Sequence, residues 1–191
     1  MKPAAFPTPS AHGLGEPLAD FGVRLRGARD DDLPFLLALY ATTRAEELAP
    51  VPWPEATKAA FLNQQFALQH HHYLTGYPRA DFLLLEAQDG PVGRFYRAAA
   101  PEGADPAECD LVIDVSLLPP WRGRGLGTAL LHAAMASAAA RGRAVALHVL
   151  LSNVRARRLY ERLGFAVTDE AGAHLAMRWR PAGAPLPSRL P

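Results

Sequence analysis

Leu117-Leu118-Pro119-Pro120-Trp121-Arg122-Gly123-Arg124-Gly125-Leu126-Gly127-Thr128 is the stretch on which the fold turns. Upstream of it, Asp110 to Leu118 is a nearly continuous apolar run through Leu111, Val112, Ile113, Val115 and Leu117. Such a run predicts a central strand covered on both faces. Downstream, Leu126 to Ala140 is rich in small apolar residues and predicts a helix that stops at Arg141-Gly142. Between the two, Gly123, Gly125 and Gly127 alternate with other residues, with Arg122 and Arg124 among them. Glycine lets the backbone approach a ligand closely and adopt positive φ. The first N–H groups of a helix have no internal partner, and the helix dipole adds partial positive charge there. Strand, glycine turn, helix N-terminus and two arginines together make an anion site suited to a pyrophosphate. The alternative is a glycine-rich turn with no ligand.

Two familiar phosphate loops do not fit. Gly127-Thr128 lacks the lysine that an NTPase P-loop places before its Ser or Thr. Gly123-x-Gly125-x-Gly127 has the wrong spacing for a dinucleotide fingerprint.

Outward from this stretch, hydrophobic periodicity predicts the remaining elements. Val23 to Arg26 alternates as a short strand. Asp30-Asp31-Asp32 offers an N-cap and first-turn acids to a helix carrying Leu33, Leu36, Leu37, Tyr40 and Leu48. Pro50, Pro52 and Pro54 end that helix in a rigid loop bearing Trp53. Glu55 to about Tyr73 is a second helix. Phe82 to Glu86 and Pro91 to about Ala98 are strands joined by the Asp89-Gly90 turn. Pro101 to Ala107 is a loop. Val145 to Leu150 is a buried strand, Asn153 to Leu163 a helix ended by Gly164, and Phe165 to Thr168 and Leu175 to Trp179 the final strands. In the order β-α-α-β-β-β-α-β-α-β-β, two of the βαβ crossovers require parallel pairing. The expected fold class is therefore α/β, a mixed sheet of six to seven strands with helices on both faces.

The chain has 191 residues, 49% of them hydrophobic, and a formal net charge of +1. That length fits one domain with tails. The expected division is a flexible N-terminal tail over 1–20, one domain over 21–180 and a proline-rich tail over 181–191. Near-zero net charge gives no general attraction to nucleic acid or anionic membrane. The single cysteine, Cys109, excludes an intramolecular disulfide and a Cys-based zinc site and suits a reducing, cytoplasmic compartment. No apolar run reaches the length of a membrane span, and the N-terminal residues lack the apolar core of a secretory signal. The run His70-His71-His72 is no chelating set, because adjacent helix residues diverge by about 100°. No metal is expected.

Arg122-x-x-Gly125-x-Gly127 resembles the acyl-CoA pyrophosphate loop of the GCN5-related N-acetyltransferase (GNAT) superfamily. Asn153-Val-Arg-Ala-Arg-Arg-Leu-Tyr160-Glu-Arg-Leu163-Gly164-Phe165 resembles that family's second signature. The two occur in order, with the intervening helix and strand, and the upstream order of elements also matches. The resemblance implies a strongly twisted sheet splayed between its fourth and fifth strands, with the pantetheine arm of acetyl-CoA in the opening. It implies cofactor contacts at Leu117, Leu118, Arg122, Gly123, Arg124, Gly125, Leu126, Gly127, Thr128 and Asn153. Leu117 and Leu118 would act through backbone N–H groups, on the acyl carbonyl or the pantetheine amides.

Asn153 and Tyr160, seven residues apart, share one helix face, roughly 10 Å apart along the axis. In the family the residue matching Tyr160 lies near the sulfur, where a hydroxyl can protonate the departing thiolate. Asn153 also reads as a helix cap. The acceptor amine must lose a proton before attack, and two acids are placed to take it. Asp114 lies in an apolar central strand, where an isolated charge is costly unless an arginine satisfies it. Glu47 lies on the Leu33–Tyr40 face of the first helix, and its alternative is a solvated acid. Arg44 shares that face, to pair with Glu47 or bind a substrate carboxylate, and Trp53 is a candidate to shape the acceptor pocket.

The resulting expectation is an acetyl-CoA-dependent N-acetyltransferase working by direct attack of a primary amine of a small molecule or peptide. The alternatives are a non-catalytic acyl-CoA-binding module and a ribosomal-protein-type N-terminal acetyltransferase. A homodimer is compatible with the family, although nothing in the sequence specifies one.

Overall fold

The computed structural model describes residues 6–8, 14, 16–100 and 109–182. The expected loop from Pro101 to Ala107 and most of the proline-rich tail lie outside the described residues. The strands are β1 (Arg24–Gly27), β2 (Asp81–Ala87), β3 (Gly90–Ala98), β4 (Asp110–Leu117), β5 (Val145–Leu150), β6 (Ala166–Ala171) and β7 (His174–Trp179). The helices are α1 (Leu33–Leu48), α2 (Glu55–Gly76), α3 (Leu126–Ala139) and α4 (Val154–Arg162). The strands form one open, mixed sheet in the order β1-β2-β3-β4-β5-β7-β6. β4 and β5 run parallel, in register from Asp110↔Val145 to Val112↔Leu147. This is the α/β class that the order of elements predicts, with one correction: across α4 the expected parallel pair does not form, because β7 lies between β5 and β6 and pairs antiparallel with both. No helix among the described residues is long and apolar enough to cross a membrane.

The chain forms two compact units, Met1–Tyr96 with Asp114–Leu126, and Arg97–Ile113 with Gly127–Pro191. In the first, β1 pairs antiparallel with β2 from Arg24↔Glu86 to Gly27↔Leu83. Arg26 holds Asp32 at 2.7 Å and Glu86 at 2.8 Å, and Asp32 accepts from the Arg29 amide at 2.8 Å. The three acids at 30–32 form a 3-10 turn, and α1 starts after them. The buried face of α1 is Leu36, Leu39, Tyr40 and Leu48. Leu39 replaces Leu37 of the expected set, and Leu33 and Leu37 are only half-buried.

The core of this unit is markedly aromatic. Phe82, Phe95 and Tyr96 are at most 1% exposed, and Tyr96 meets Phe82 edge-on at 4.8 Å. Part of the stretch expected as a tail belongs to this core. Leu18 is fully buried, and the Phe6 ring packs on His70 at 5.1 Å and Phe82 at 5.6 Å.

In the second unit, Leu130, Leu131, Ala134 and Ala138 form the buried stripe of α3, and Val145, Leu147 and Val149 that of β5. Each such leucine contributes about 1.5–3 kcal/mol by leaving water. β5 pairs antiparallel with β7 from Val145↔Trp179 to Leu150↔His174. β6 runs to Ala171, past the Thr168 that the sequence pattern suggests. Its ladder with β7 shifts register between Val167 and Asp169, and the strand is exposed on both faces. That exposure removes the apolar periodicity by which its length would be read. Arg141 pairs with Asp110, whose other oxygen accepts from the Ala100 amide at 3.1 Å, so the end of α3 is tied to the start of β4.

α4 ends in a tightly specified stop. Gly164 donates to the Glu161 carbonyl and Phe165 to the Tyr160 carbonyl, each at 3.0 Å, which is the Schellman arrangement. Gly164 sits at φ +88°, and an added Cβ would lie 3.4 Å from Trp179 Cδ1. Left-handed backbone costs an L-residue about 1–2 kcal/mol. Gly164→Ala should therefore lower unfolding stability by at least about 1 kcal/mol in urea titration; an unchanged midpoint would show that the turn is not under this constraint.

Candidate active site

The glycine turn begins where β4 ends. Pro119–Trp121 form a 3-10 turn, and Arg122 leaves it in extended conformation. Gly123 at φ 75° and Gly125 at φ 93° then bring the chain to the start of α3 at Leu126. Gly127 and Thr128 occupy the first turn of that helix. A Cβ added at Gly127 would meet nothing within 4 Å, whereas one at Gly125 would touch the Phe21 ring at 3.5 Å. Open space therefore adjoins Gly127, at a helix end whose amides lack internal partners.

The arginines are held differently from the simplest expectation. Arg122 donates from Nε to the Leu117 carbonyl at 2.8 Å and from Nη2 to Thr42 Oγ1 at 2.7 Å. Among the described residues no carboxylate pairs with it, so its full charge stays beside the turn. Arg124 lies over the Trp121 ring at 5.3 Å. One expected donor is corrected. The Leu118 N–H bonds to the Val92 carbonyl at 2.9 Å, because the chain continues the β3–β4 approach one residue past the strand. That amide is therefore not available to a ligand. Leu117 contributes its carbonyl to Arg122.

Asp114 lies at the centre of a polar cluster within the first unit. Its Oδ2 accepts from Arg94 at 2.6 Å and from the Tyr73 hydroxyl at 3.1 Å. Its Oδ1 accepts from Ser116 at 2.6 Å. Arg94 is 3% exposed and also reaches Gln69 Oε1 at 2.8 Å. Burial penalises the Arg94 charge, and the Asp114 carboxylate and the Tyr96 and Tyr73 hydroxyls together outweigh that penalty, so the guanidinium stays protonated. Burial, with the Asp114 charge beside it, pushes the Tyr73 hydroxyl well above its ordinary value, so it remains a neutral donor. Asp114 is thus a carboxylate satisfied by a neighbouring arginine, one of the two readings its position in the strand allows.

On α1, Arg44 bonds to Glu47 at 2.7 Å across one turn and lies over the Tyr40 ring at 5.9 Å. The Glu47 side chain is 62% exposed. Trp53 is 41% exposed and packs edge-on against Phe61 at 5.5 Å. His70 stacks on Phe66 at 5.8 Å, and its burial lowers its pKa, whereas His71 and His72 are exposed. Among the described residues no group of three His, Cys, Asp or Glu is arranged to hold a metal.

On α4, Asn153 caps the helix, its Oδ1 accepting from the Ala156 amide at 3.1 Å. The cap uses the side-chain oxygen, and the amide N–H groups of Asn153 take no part in it. Tyr160 is half-buried, and its ring packs on that of Phe165 at 6.0 Å, the apolar contact that accompanies this helix stop. Phe165 is 3% exposed, so the ring carrying the candidate hydroxyl rests on a buried anchor.

Arg94, Tyr73, Gln69, Ser116 and Thr42 were absent from the expected set. Arg94 carries the signal that singled out Asp114, a charge inside an apolar strand, and β3 precedes β4 in sequence. Tyr73, Gln69 and Thr42 are ordinary helix residues with no such signal. Removing one partner of a buried ion pair leaves an uncompensated charge and costs about 3–5 kcal/mol. Asp114→Ala should destabilise the protein by about that amount. The double change Asp114→Leu with Arg94→Met should recover most of it. Urea unfolding of the two variants and the wild type tests both, and a double variant as unstable as the single would refute the pair.

Comparison with known proteins identifies relatives in sequence and in fold. Over 101 residues the chain is 36% identical to YycN of Bacillus subtilis, an uncharacterized N-acetyltransferase, covering 52% of this chain and 58% of that one. The match thus spans little more than half the length of that relative. The PaiA N-acetyltransferase of Thermoplasma acidophilum, solved in complex with coenzyme A, superposes with a TM-score of 0.61 at 17% identity, over 83% of this chain and 99% of that one. Arabidopsis thaliana Naa50, in complex with the bisubstrate analogue CoA-Ac-MVNAL, superposes with a TM-score of 0.52 at 22% identity, over 83% and 98%. Residues 39–165 match the model of the acetyltransferase (GNAT) family, a span that holds both signatures, and the chain belongs to that family.

Proposed function

We propose that this protein transfers the acetyl group of acetyl-CoA to a primary amine of a small molecule or peptide by direct attack. The observation that carries the reading is the turn from Arg122 to Thr128. Left-handed glycines and an unneutralised arginine lead into a helix N-terminus, with open space at Gly127. These residues fit a pyrophosphate. Bound there, acetyl-CoA would supply an activated thioester. The backbone of Gly123 to Thr128 would hold the phosphates, with Arg122 and Arg124 adding charge. Asn153 would donate to the pantetheine arm, and the Tyr160 hydroxyl would protonate the departing thiolate. The match to a CoA-bound neighbour supports the cofactor class.

For the amine proton, Glu47 is the better placed of the two acids. Its carboxylate is exposed and bonds to a single arginine, whereas Asp114 already accepts from three donors. Arg44 and Trp53 would shape the acceptor side.

Release of free CoA in the presence of acetyl-CoA and a panel of amines tests the reading. Tight binding without turnover on any amine would favour a non-catalytic acyl-CoA module. Gly127→Leu should abolish CoA binding by calorimetry with the thermal midpoint kept, since its side chain would fill the open space. Unchanged affinity would refute this assignment of the turn. Gly127 is the cleaner probe, because Gly125 is constrained by its φ as well. Tyr160→Phe should keep acetyl-CoA affinity and slow turnover by about 10²-fold or slightly less, the low end for a general acid, because a thiolate departs readily. A wild-type rate with chemistry limiting would leave Tyr160 only its packing role.

A further inference from the structure

We propose that Thr42 is a positioning residue that couples occupancy of the glycine turn to helix α1 through Arg122. The inference rests on the acyl-CoA reading of that turn. Thr42, Leu117, Arg122 and the turn as far as Leu126 all lie within the first unit. Arg122 is the last residue before the left-handed Gly123. Its guanidinium bridges two elements, taking the Leu117 carbonyl at the end of β4 at 2.8 Å and Thr42 Oγ1 in the middle of α1 at 2.7 Å. The same Nη2 lies 3.4 Å from the Thr42 carbonyl.

The hydroxyl is oriented for this task. Thr42 donates its single proton to the Leu39 carbonyl at 2.8 Å, which turns its lone pairs to Arg122. A bond to a charged donor is roughly twice as strong as a neutral one. Thr42 and Arg122 are both half-buried, which limits competition from water.

The consequence follows from where each end of the bridge lies. Arg122 fixes the start of the turn that would receive the phosphates. Thr42 lies about half a turn from Arg44 and about a turn and a half from Glu47, the candidates on the acceptor side. An anion that orders the turn also orders the guanidinium, and through Thr42 the middle of α1. Coupling of this kind is reciprocal, so an acceptor that steadies α1 strengthens cofactor binding. Arg122 thereby serves the cofactor by its charge and by its clamp, without needing to touch a phosphate.

Calorimetric titration of CoA, combined with hydrogen exchange of α1, tests the proposal in the full chain. In wild type and in Thr42→Ser, which keeps the hydroxyl, CoA should bind with equal affinity and slow exchange of the amides around Thr42. In Thr42→Val, affinity should fall about tenfold, and CoA should no longer slow exchange there. Thr42→Ala, a good helix former, should behave like the valine variant and serves if valine perturbs folding. A merely structural threonine would lower the melting temperature in these variants and leave the response of α1 to CoA intact, which would overturn the proposal. So would serine failing to restore the response. If wild type itself does not bind CoA, the reading of the turn fails and the coupling falls with it; if wild type binds and Thr42→Val binds equally, only the coupling falls.

Discussion

The buried ion pair between Arg94 and Asp114 is the constraint around which the first unit is arranged. Neither charge would be tolerated alone in a site this dry, since an unpaired buried ion costs several kcal/mol. Once both are present, their remaining polar atoms call for partners. Gln69 and Tyr73 of α2 and Ser116 of β4 supply several, with Arg94 stacked over the faces of Tyr73 and Tyr96. One pair therefore sets the rotation of α2 and its seat on β3 and β4. It also occupies Asp114, whose two carboxylate oxygens already accept from three side chains.

Backbone conformation governs the glycine turn and the end of α4 in different ways. In the turn, two left-handed glycines reverse the chain in a space where a Cβ would be strained, and the side chains around them act as braces. Trp121 supports Arg124, Phe21 supports Gly125, and Thr42 with Leu117 supports Arg122. At the end of α4, one glycine allows the helix to stop so that Phe165 folds back under Tyr160. The Tyr-x-x-Leu-Gly-Phe pattern is thus as much a helix terminator as a functional signature. The residue that bears the candidate hydroxyl and the residues that stop the helix are parts of one local structure.

Most elements were legible because their signals are local. The helices α1 to α4 announced themselves by caps, prolines and 3.6-residue periodicity, and β4 and β5 by short apolar runs. The errors share a cause. Leu37 and Leu39 are both leucines on one helix, and only the direction of the neighbouring elements decides which is buried. β6 has no buried face to mark its length. Leu18 and Phe6 lie in a proline-rich stretch whose composition reads as tail, but Leu18 is fully buried and the Phe6 ring packs on Phe82 of the core.

Sequence alone determined the order of elements, the parallel pairing of β4 with β5 across α3, and the glycine turn at the mouth of a helix. It determined too that a charge in β4 would need a partner. These follow from covalent chirality, from residue spacing and from the cost of burying polar groups, all of which act within a few residues. Tertiary structure decided which groups are already spent. The Leu118 amide is given to Val92, the Arg122 guanidinium to Thr42 and Leu117, and the Asp114 carboxylate to Arg94, Tyr73 and Ser116. Each hydrogen bond joins residues far apart in the chain, except those to Leu117 and Ser116. Whether a donor is open to a ligand or closed by a neighbour depends on distances of a few tenths of an ångström, which residue spacing does not encode.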